Sequence, residues 1–481
     1  MSSLTRREFT RATVATLAAP LLNPTSVEGQ KNSPTSRPQT PSSNPSCDLP
    51  VADLVFLRDM TRDVLAASTV QPGAGAGGYR SSPNTCDFPL ITPGRGTYPA
   101  FWVRDFSMAL ESGLIEPDLA LAHLRLIARC QNGPRERRLT SGAIIPPGAV
   151  PDHINYDGSA VFYPGTYSPN DDQGGKSFGV LPPVDDYFEF IRCARTIWRS
   201  TGRTDFLDEN IAGTTLLERL ITAFKAPEVD ESTGLFMTTT ERRAVGFGFC
   251  DTVIQSGKLL FASLLRRRAA GDLAELLAAR GQSREAKVYR AIQRDIATHL
   301  PNVFQDDHDN RGWLLAATQT SCQPDVWGTI FALFDGALSG TAAQNAEEAV
   351  VHAVRDGTIC LNGGVRHVPT NRDFSTDSAW EKTVGVAIGR YQNGAYWHTP
   401  TGWLIVVLSR TAPELGRRIF DEYIAHLKKE DFRRGTGYNA PWECIGPNGN
   451  GNQNPVYLAS VALPYGVLRG LAQNRDPSAR R

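Results

Sequence analysis

From Val51 to Leu471 the apolar residues recur at intervals of three and four, the spacing that gathers them on one face of an α-helix. The clearest case is Val184, Tyr187, Phe188, Ile191, Ala194, Ile197 and Trp198. This run is entered through Pro182-Pro183 and closed by Gly202, residues suited to a helix start and a helix end. The same pattern predicts helices over Val51–Ala67, Phe106–Cys130, Ile211–Phe224, Thr252–Leu265, Arg284–Leu300, Asp325–Leu338 and Ala342–Val354. It continues over Trp380–Gly389, Thr401–Leu408, Glu414–Lys428 and Val456–Leu471. Short β-branched runs are few, so a parallel sheet is not supported. About a dozen helices, joined by long connections rich in Gly, Pro and Asn, predict an all-α fold of paired helices wound into an (α/α)6 barrel. The long loops of such a barrel gather at one end, where a pocket can form.

The first residues break this pattern. Thr5-Arg6-Arg7-Glu8-Phe9-Thr10-Arg11 and the weakly apolar run to Leu22 read as a twin-arginine export signal over residues 1–22, with the twin-arginine translocase as a transient partner. An amphipathic first helix is the competing reading. Residues 23–47 are rich in Pro, Ser, Thr and Asn, the composition of a disordered tether. Residues 48–475 show no further linker and are expected to form one catalytic domain. No later stretch approaches 18 uninterrupted apolar residues, so no stable membrane insertion is expected after signal removal, and the expected location is periplasmic or extracellular.

Charge narrows the ligand. The 481 residues carry 50 basic and 50 acidic side chains, formal net charge 0, which gives no electrostatic case for nucleic acid or an anionic membrane surface. A neutral small molecule fits better. Eight cysteines are scattered singly, with no Cys-x-x-Cys pair and no histidine cluster, which argues against zinc or iron–sulfur ligation. Export permits disulfides, although several of these cysteines read as small buried fillers.

Arg104 and Asp105 lie in the aromatic segment from Tyr98 to Phe106. A guanidinium beside a carboxylate can hold two neighbouring sugar hydroxyls while Trp102 and Phe106 cover the ring, or the two can simply form a buried ion pair at a helix start. Asp185 and Asp186 open the helix after Pro182-Pro183; only one is expected to face inward, and either can merely satisfy the helix N-terminus. Asp251 follows Gly246-Phe247-Gly248-Phe249-Cys250, an apolar surround that raises a carboxyl pKa as a general acid requires. Taken by itself it reads rather as the N-cap of a following helix. Glu443 stands beside Trp442 in a loop of Asn, Gln, Gly and Pro, with no acidic neighbour between Asp431 and Asp476. Those surroundings suit the positioning of a water and of sugar hydroxyls. Gln392, Asn393 and Trp397 add amides and an aromatic face, the pairing carbohydrate pockets use, although Trp397 suits a barrel core too.

Taken in order, Val103-Arg104-Asp105-Phe106, the Pro183-Val184-Asp185 helix start, the apolar-to-Asp251 step, Tyr391 to Trp397 and the late Glu443 resemble neutral/alkaline invertases. They also resemble, more distantly, the (α/α)6-barrel glycosidases that include glucoamylases and trehalases. The resemblance runs from about Tyr98 to Leu471 and implies that Arg104, Asp105 and Asp185 bind the glycone sugar. It further implies Asp251 as general acid and Glu443 as general base in a single-step inverting hydrolysis, with no metal or organic cofactor. Thr252-Val253-Ile254 and Cys444-Ile445-Gly446 depart from the invertase pattern, so sucrose is not implied. Another enzyme on the same barrel (a phosphorylase, or an epimerase or lyase with His153, His367 or His398 as a base) and a carbohydrate-binding protein without catalysis are the alternatives. The acidic stretch from Gln305 to Gly312 superficially suggests a calcium loop, but Arg311 stands where an oxygen ligand belongs and no Glu follows at the required spacing.

Overall fold

Twelve helices follow one another in the computed structural model, which describes residues 48–75, 82–175, 178–244, 250–305, 312–321, 323–372, 379–449 and 451–473. The expected signal (1–22) and tether (23–47) lie outside these residues, as do Cys47, Cys322 and most of the rejected calcium loop. The helices are α1 (Val51–Ala67), α2 (Val103–Leu110), α3 (Pro117–Cys130), α4 (Asp185–Thr201), α5 (Leu216–Lys225) and α6 (Leu260–Ala279). They continue with α7 (Ser283–Phe304), α8 (Val326–Phe334), α9 (Gly340–Arg355), α10 (Thr401–Thr411), α11 (Pro413–Lys429) and α12 (Ala459–Gln473).

The even-numbered helices close a ring, α2 against α4, α4 against α6, and on through α8, α10 and α12 back to α2. The odd-numbered helices pack outside, for example α1 on α12, α7 on α6 and α11 on α10. This is the (α/α)6 barrel. Burial follows the layers: every residue of α2 and the first nine of α10 are buried, whereas α7 buries only Ala286, Tyr289, Ile296, Leu300 and Phe304. A helix enclosed on all sides must be apolar all round, and one on the rim needs only a stripe. Among the described residues no helix is long and apolar enough to cross a membrane.

Four sequence expectations shift, each for a local reason. The run from Phe106 to Cys130 is two helices, because Gly113 takes a positive φ of 66° and Pro117 opens α3. The helix expected from Ile211 starts at Leu216, where Thr215 and Glu218 form a capping box. The helix expected from Thr252 starts only at Leu260; Val253–Ile254 is a short strand, and Gly257 at φ 87° turns the chain. Asp251 therefore caps no helix. Trp380–Gly389 is not helical either, since Lys382–Thr383 pairs with Val253–Ile254 and Gly385 and Gly389 both take positive φ.

Two small antiparallel sheets stand on the helix-ring connections. One holds Ala100–Trp102, His153–Asn155 and Ala160–Val161, with Trp102 opposite His153. The other orders Cys360–Leu361, Gly364–Val365, Tyr396–Trp397, Trp442–Ile445 and Gln453–Pro455. Cys86, Cys130, Cys193, Cys250, Cys360 and Cys444 are free thiols, three of them buried.

Candidate active site

A cleft of about 240 Å³ is lined by Arg104 and Asp105 from the first turn of α2, Asp251 and Gln392 from the loops, Glu443 from its strand, and Tyr457 from the entry to α12. Tyr98, Trp102, Asp152, His153, Tyr167 and Tyr391 complete most of the wall.

Glu443 is placed by strand register. Trp442 pairs with Pro455 and Cys444 with Gln453, so Glu443 falls opposite Asn454, whose Nδ2 donates to its Oε2. Tyr98 Oη donates to the same oxygen at 2.5 Å and accepts from Asn454 Nδ2 at 2.8 Å. Tyr391 Oη donates to Oε1 at 3.1 Å. Tyr391 and Asn454 both adopt positive φ, 46° and 50°, an uncommon conformation for non-glycine residues that here aims donors at one carboxyl. Burial pushes Glu443 up to about 7; the hydrogen bonds from Asn454 and Tyr98 pull down against it, and the nearby Asp105 charge pushes up.

Asp251 is oriented through an amide whose direction is fixed elsewhere. Gln392 Oε1 accepts from Thr252 N at 2.7 Å and Thr252 Oγ1 at 2.6 Å, which turns Nε2 toward Asp251 Oδ1, to which it donates. Burial raises the Asp251 carboxyl, while the Arg104 cation and the Gln392 bond oppose the rise.

Arg104 is held from behind. It pairs with Asp185 at 3.0 Å and Asp152 at 3.4 Å, both almost wholly buried. Asp105 accepts from Tyr457 Oη and is lifted by burial to about 6 against the pull of Arg104. Val456, immediately before Tyr457, is a β-branched residue at φ 57°, so the chain turns sharply to deliver that hydroxyl. Among the described lining residues Arg104 is the only Lys or Arg, set among Asp105, Asp152, Asp251 and Glu443. The cleft therefore disfavours anionic ligands.

Not every residue singled out in the sequence reaches this cleft. Asp185 lies behind Arg104, off the cleft lining, because the first turn of α4 points into the ring. Asp186 is also buried, so both aspartates face inward, and burial beside Asp185 raises the Asp186 carboxyl well above the usual range. Asn393 is spent on structure, accepting from Trp380 Nε1 at 2.9 Å and donating to Val386 O at 3.0 Å. Trp397 is barrel core, fully buried against Trp327 and Tyr391. Trp442 alternates away from Glu443 along the strand, and its Nε1 donates to Glu430 at 3.1 Å. Phe106 stacks on His123 in the core rather than covering the cleft. His367 and His398 are buried outside the cleft, where burial lowers each to about 3.

Sequence reading missed Tyr98, Asp152, Tyr167, Tyr391, Asn454 and Tyr457. Their roles depend on contacts between distant segments; only the positions of Tyr98 and Tyr391 at the start of singled-out segments gave a signal.

No family model matches the sequence, and no curated protein matches it. Solved structures do share the fold. A GH63 mannosylglycerate hydrolase from Thermus thermophilus aligns over 86% of this chain and 100% of its own, with TM-score 0.54 and 15% identity. A glucoamylase from Saccharomycopsis fibuligera aligns over 90% of this chain and 98% of its own, with TM-score 0.53 and 10% identity. A GH78 rhamnosidase from a Bacillus species aligns over 89% of this chain but 36% of its own, with TM-score 0.51 and 13% identity. At these identities the likeness establishes the barrel, and none of the three is an invertase.

Proposed function

We propose that this protein is an exported glycoside hydrolase that cleaves a glycosidic bond of a neutral oligosaccharide in one step with inversion. The observation that carries the reading is the convergence on one cleft of Asp251 and Glu443, both raised by burial, beside a guanidinium and a carboxylate that suit sugar hydroxyls. The names of the structures sharing this barrel support it.

Asp251 gives its proton to the leaving oxygen, and Glu443 takes a proton from the attacking water. Burial raises both carboxyls, and hydrogen bonding tells them apart. Three donors converge on Glu443, a set that favours an ionised acceptor, whereas one amide holds Asp251 Oδ1 and leaves Oδ2 to carry the proton. A sugar filling the cleft displaces water and raises Asp251 further. Arg104 and Asp105 hold the glycone, with Asp185 and Asp152 fixing the guanidinium. Phosphorolysis is disfavoured because Arg104, the only Lys or Arg described on the lining, is already tied to two carboxylates.

The test is sugar release by protein beginning at Cys47 on a panel of α- and β-linked di- and oligosaccharides, with Asp251→Asn and Glu443→Gln alongside. Release from one linkage, abolished by both substitutions, supports the reading. Phosphate-dependent release indicates a phosphorylase, a new unsaturated-sugar absorbance a lyase, and binding without turnover a carbohydrate-binding protein.

A further inference from the structure

We infer that His153 reads one hydroxyl of the sugar and so sets which sugar the cleft accepts, an inference that rests on the glycosidase reading. His153 lies on the strand facing Trp102, and the two rings stack with centroids 4.6 Å apart and planes 24° from parallel. Tyr167 meets both rings edge-on, at 5.3 Å from His153 and 5.9 Å from Trp102. The imidazole is thus clamped by aromatic side chains, and its own side chain is almost wholly buried in the cleft wall.

The direction of its hydrogen bonding follows from Asp152. That carboxylate faces Arg104 through Oδ1 at 3.4 Å and His153 Nδ1 through Oδ2 at 2.7 Å. An ionised aspartate can only accept, so Nδ1 carries the hydrogen, and in the neutral ring Nε2 keeps its lone pair. Nε2 is buried and has no hydrogen-bond partner among the described residues. A polar atom withdrawn from water and left unmatched is costly unless a ligand matches it. The ligand group that fits is a hydroxyl acting as donor. A carboxylate or phosphate cannot donate to that lone pair, and the carboxylates around the cleft repel one.

Asp152 links this reader to the gripping guanidinium. One carboxylate orients both Arg104 and His153, so the sugar held by Arg104 and the hydroxyl tested by His153 belong to one rigid frame. Asp152 is on this account a positioning residue, and His153 touches substrate.

The experiment compares the full mature protein and its His153→Phe variant on the best substrate of the glycoside panel and its monodeoxy and deoxyfluoro analogues. Phe keeps the ring against Trp102 and removes the acceptor. In the unsubstituted protein one deoxy analogue should lose about ten- to a hundredfold in kcat/KM, and its deoxyfluoro counterpart, which cannot donate, should lose as much. His153→Phe should lose a similar factor on the parent sugar and nothing further on that analogue. His153→Gln, whose amide oxygen can accept at a similar place, should recover part of the discrimination; it also serves if the Phe variant fails to fold by circular dichroism. Equal losses on every analogue would make His153 structural and overturn the inference while leaving hydrolysis intact. If the protein hydrolyses nothing, the glycosidase reading fails, and calorimetric binding of the same sugars scores His153: a discrimination lost in the variant upholds it, and no discrimination or no binding overturns it.

Discussion

Glu443→Gln should make the folded protein more stable at neutral pH, and by an amount that depends on pH. Glu443 is 2% exposed, and burial lifts its carboxyl from an ordinary 4.5 to about 7. Below pH 4.5 the group is protonated in folded and unfolded chains alike and contributes no pH dependence. Between 4.5 and 7 the unfolded chain ionises while the folded one keeps its proton, so stability falls as pH rises. Above 7 the penalty is complete, at about 3 kcal/mol for 1.36 kcal/mol per pH unit. Glutamine has no such penalty. Its amide fits the donors from Tyr98, Asn454 and Tyr391 less well, which costs on the order of 1 kcal/mol at every pH. The pH-dependent part is therefore the clean signal: between pH 5 and pH 8 the stability of the variant should gain on that of the parent by about 2.5 kcal/mol. Paired urea titrations at the two pH values measure it. A difference that is the same at both, or that grows toward acid, would refute the claim that Glu443 is held at the expense of folding.

Three further outcomes follow from the same geometry. Asp251→Asn should cut hydrolysis of sugars with poor leaving groups by about a hundred- to ten-thousandfold but reactive aryl glycosides far less, as steady-state rates on both substrate types would show; equal losses would remove it as the acid. Tyr98→Phe removes a donor from Glu443 and should raise its pKa by about 1 from about 7, read by carbon NMR of labelled glutamate with Glu443→Gln as the blank; an unchanged or lowered value would count against the hydrogen bond. Asp185→Asn breaks a buried ion pair with Arg104 and should destabilise by about 3 kcal/mol, whereas Asp186→Asn should stay within about 1 kcal/mol, burial having raised its carboxyl well above the usual range; comparable losses in thermal unfolding would contradict the assignment.

The helices were legible because inner and outer ones alike repeat apolar residues at three and four; which of them form the inner ring became visible only in the packing. Their edges were less so: the α2–α3 break depends on one glycine's φ, and the strand at Val253–Ile254 depends on a partner more than a hundred residues away. At the site, Trp102, Arg104, Asp105, Asp251, Gln392 and Glu443 line one cleft as chemistry-bearing residues in loops, short strands and a first turn. Asn393, Trp397 and Trp442 are immediate neighbours or near neighbours of site residues, and their side chains leave in other directions; sequence shows the neighbourhood but not the face. The tyrosines that bracket Glu443 come from positions 98 and 391, and only the folded chain brings them together.

The most direct test of the central claim is the anomeric configuration of freshly released sugar, followed by proton NMR before mutarotation, for the parent protein and for Glu443→Gln. Inverted sugar from the parent and none from the variant is the predicted result. Retained configuration, or undiminished release from folded Glu443→Gln, would contradict the account.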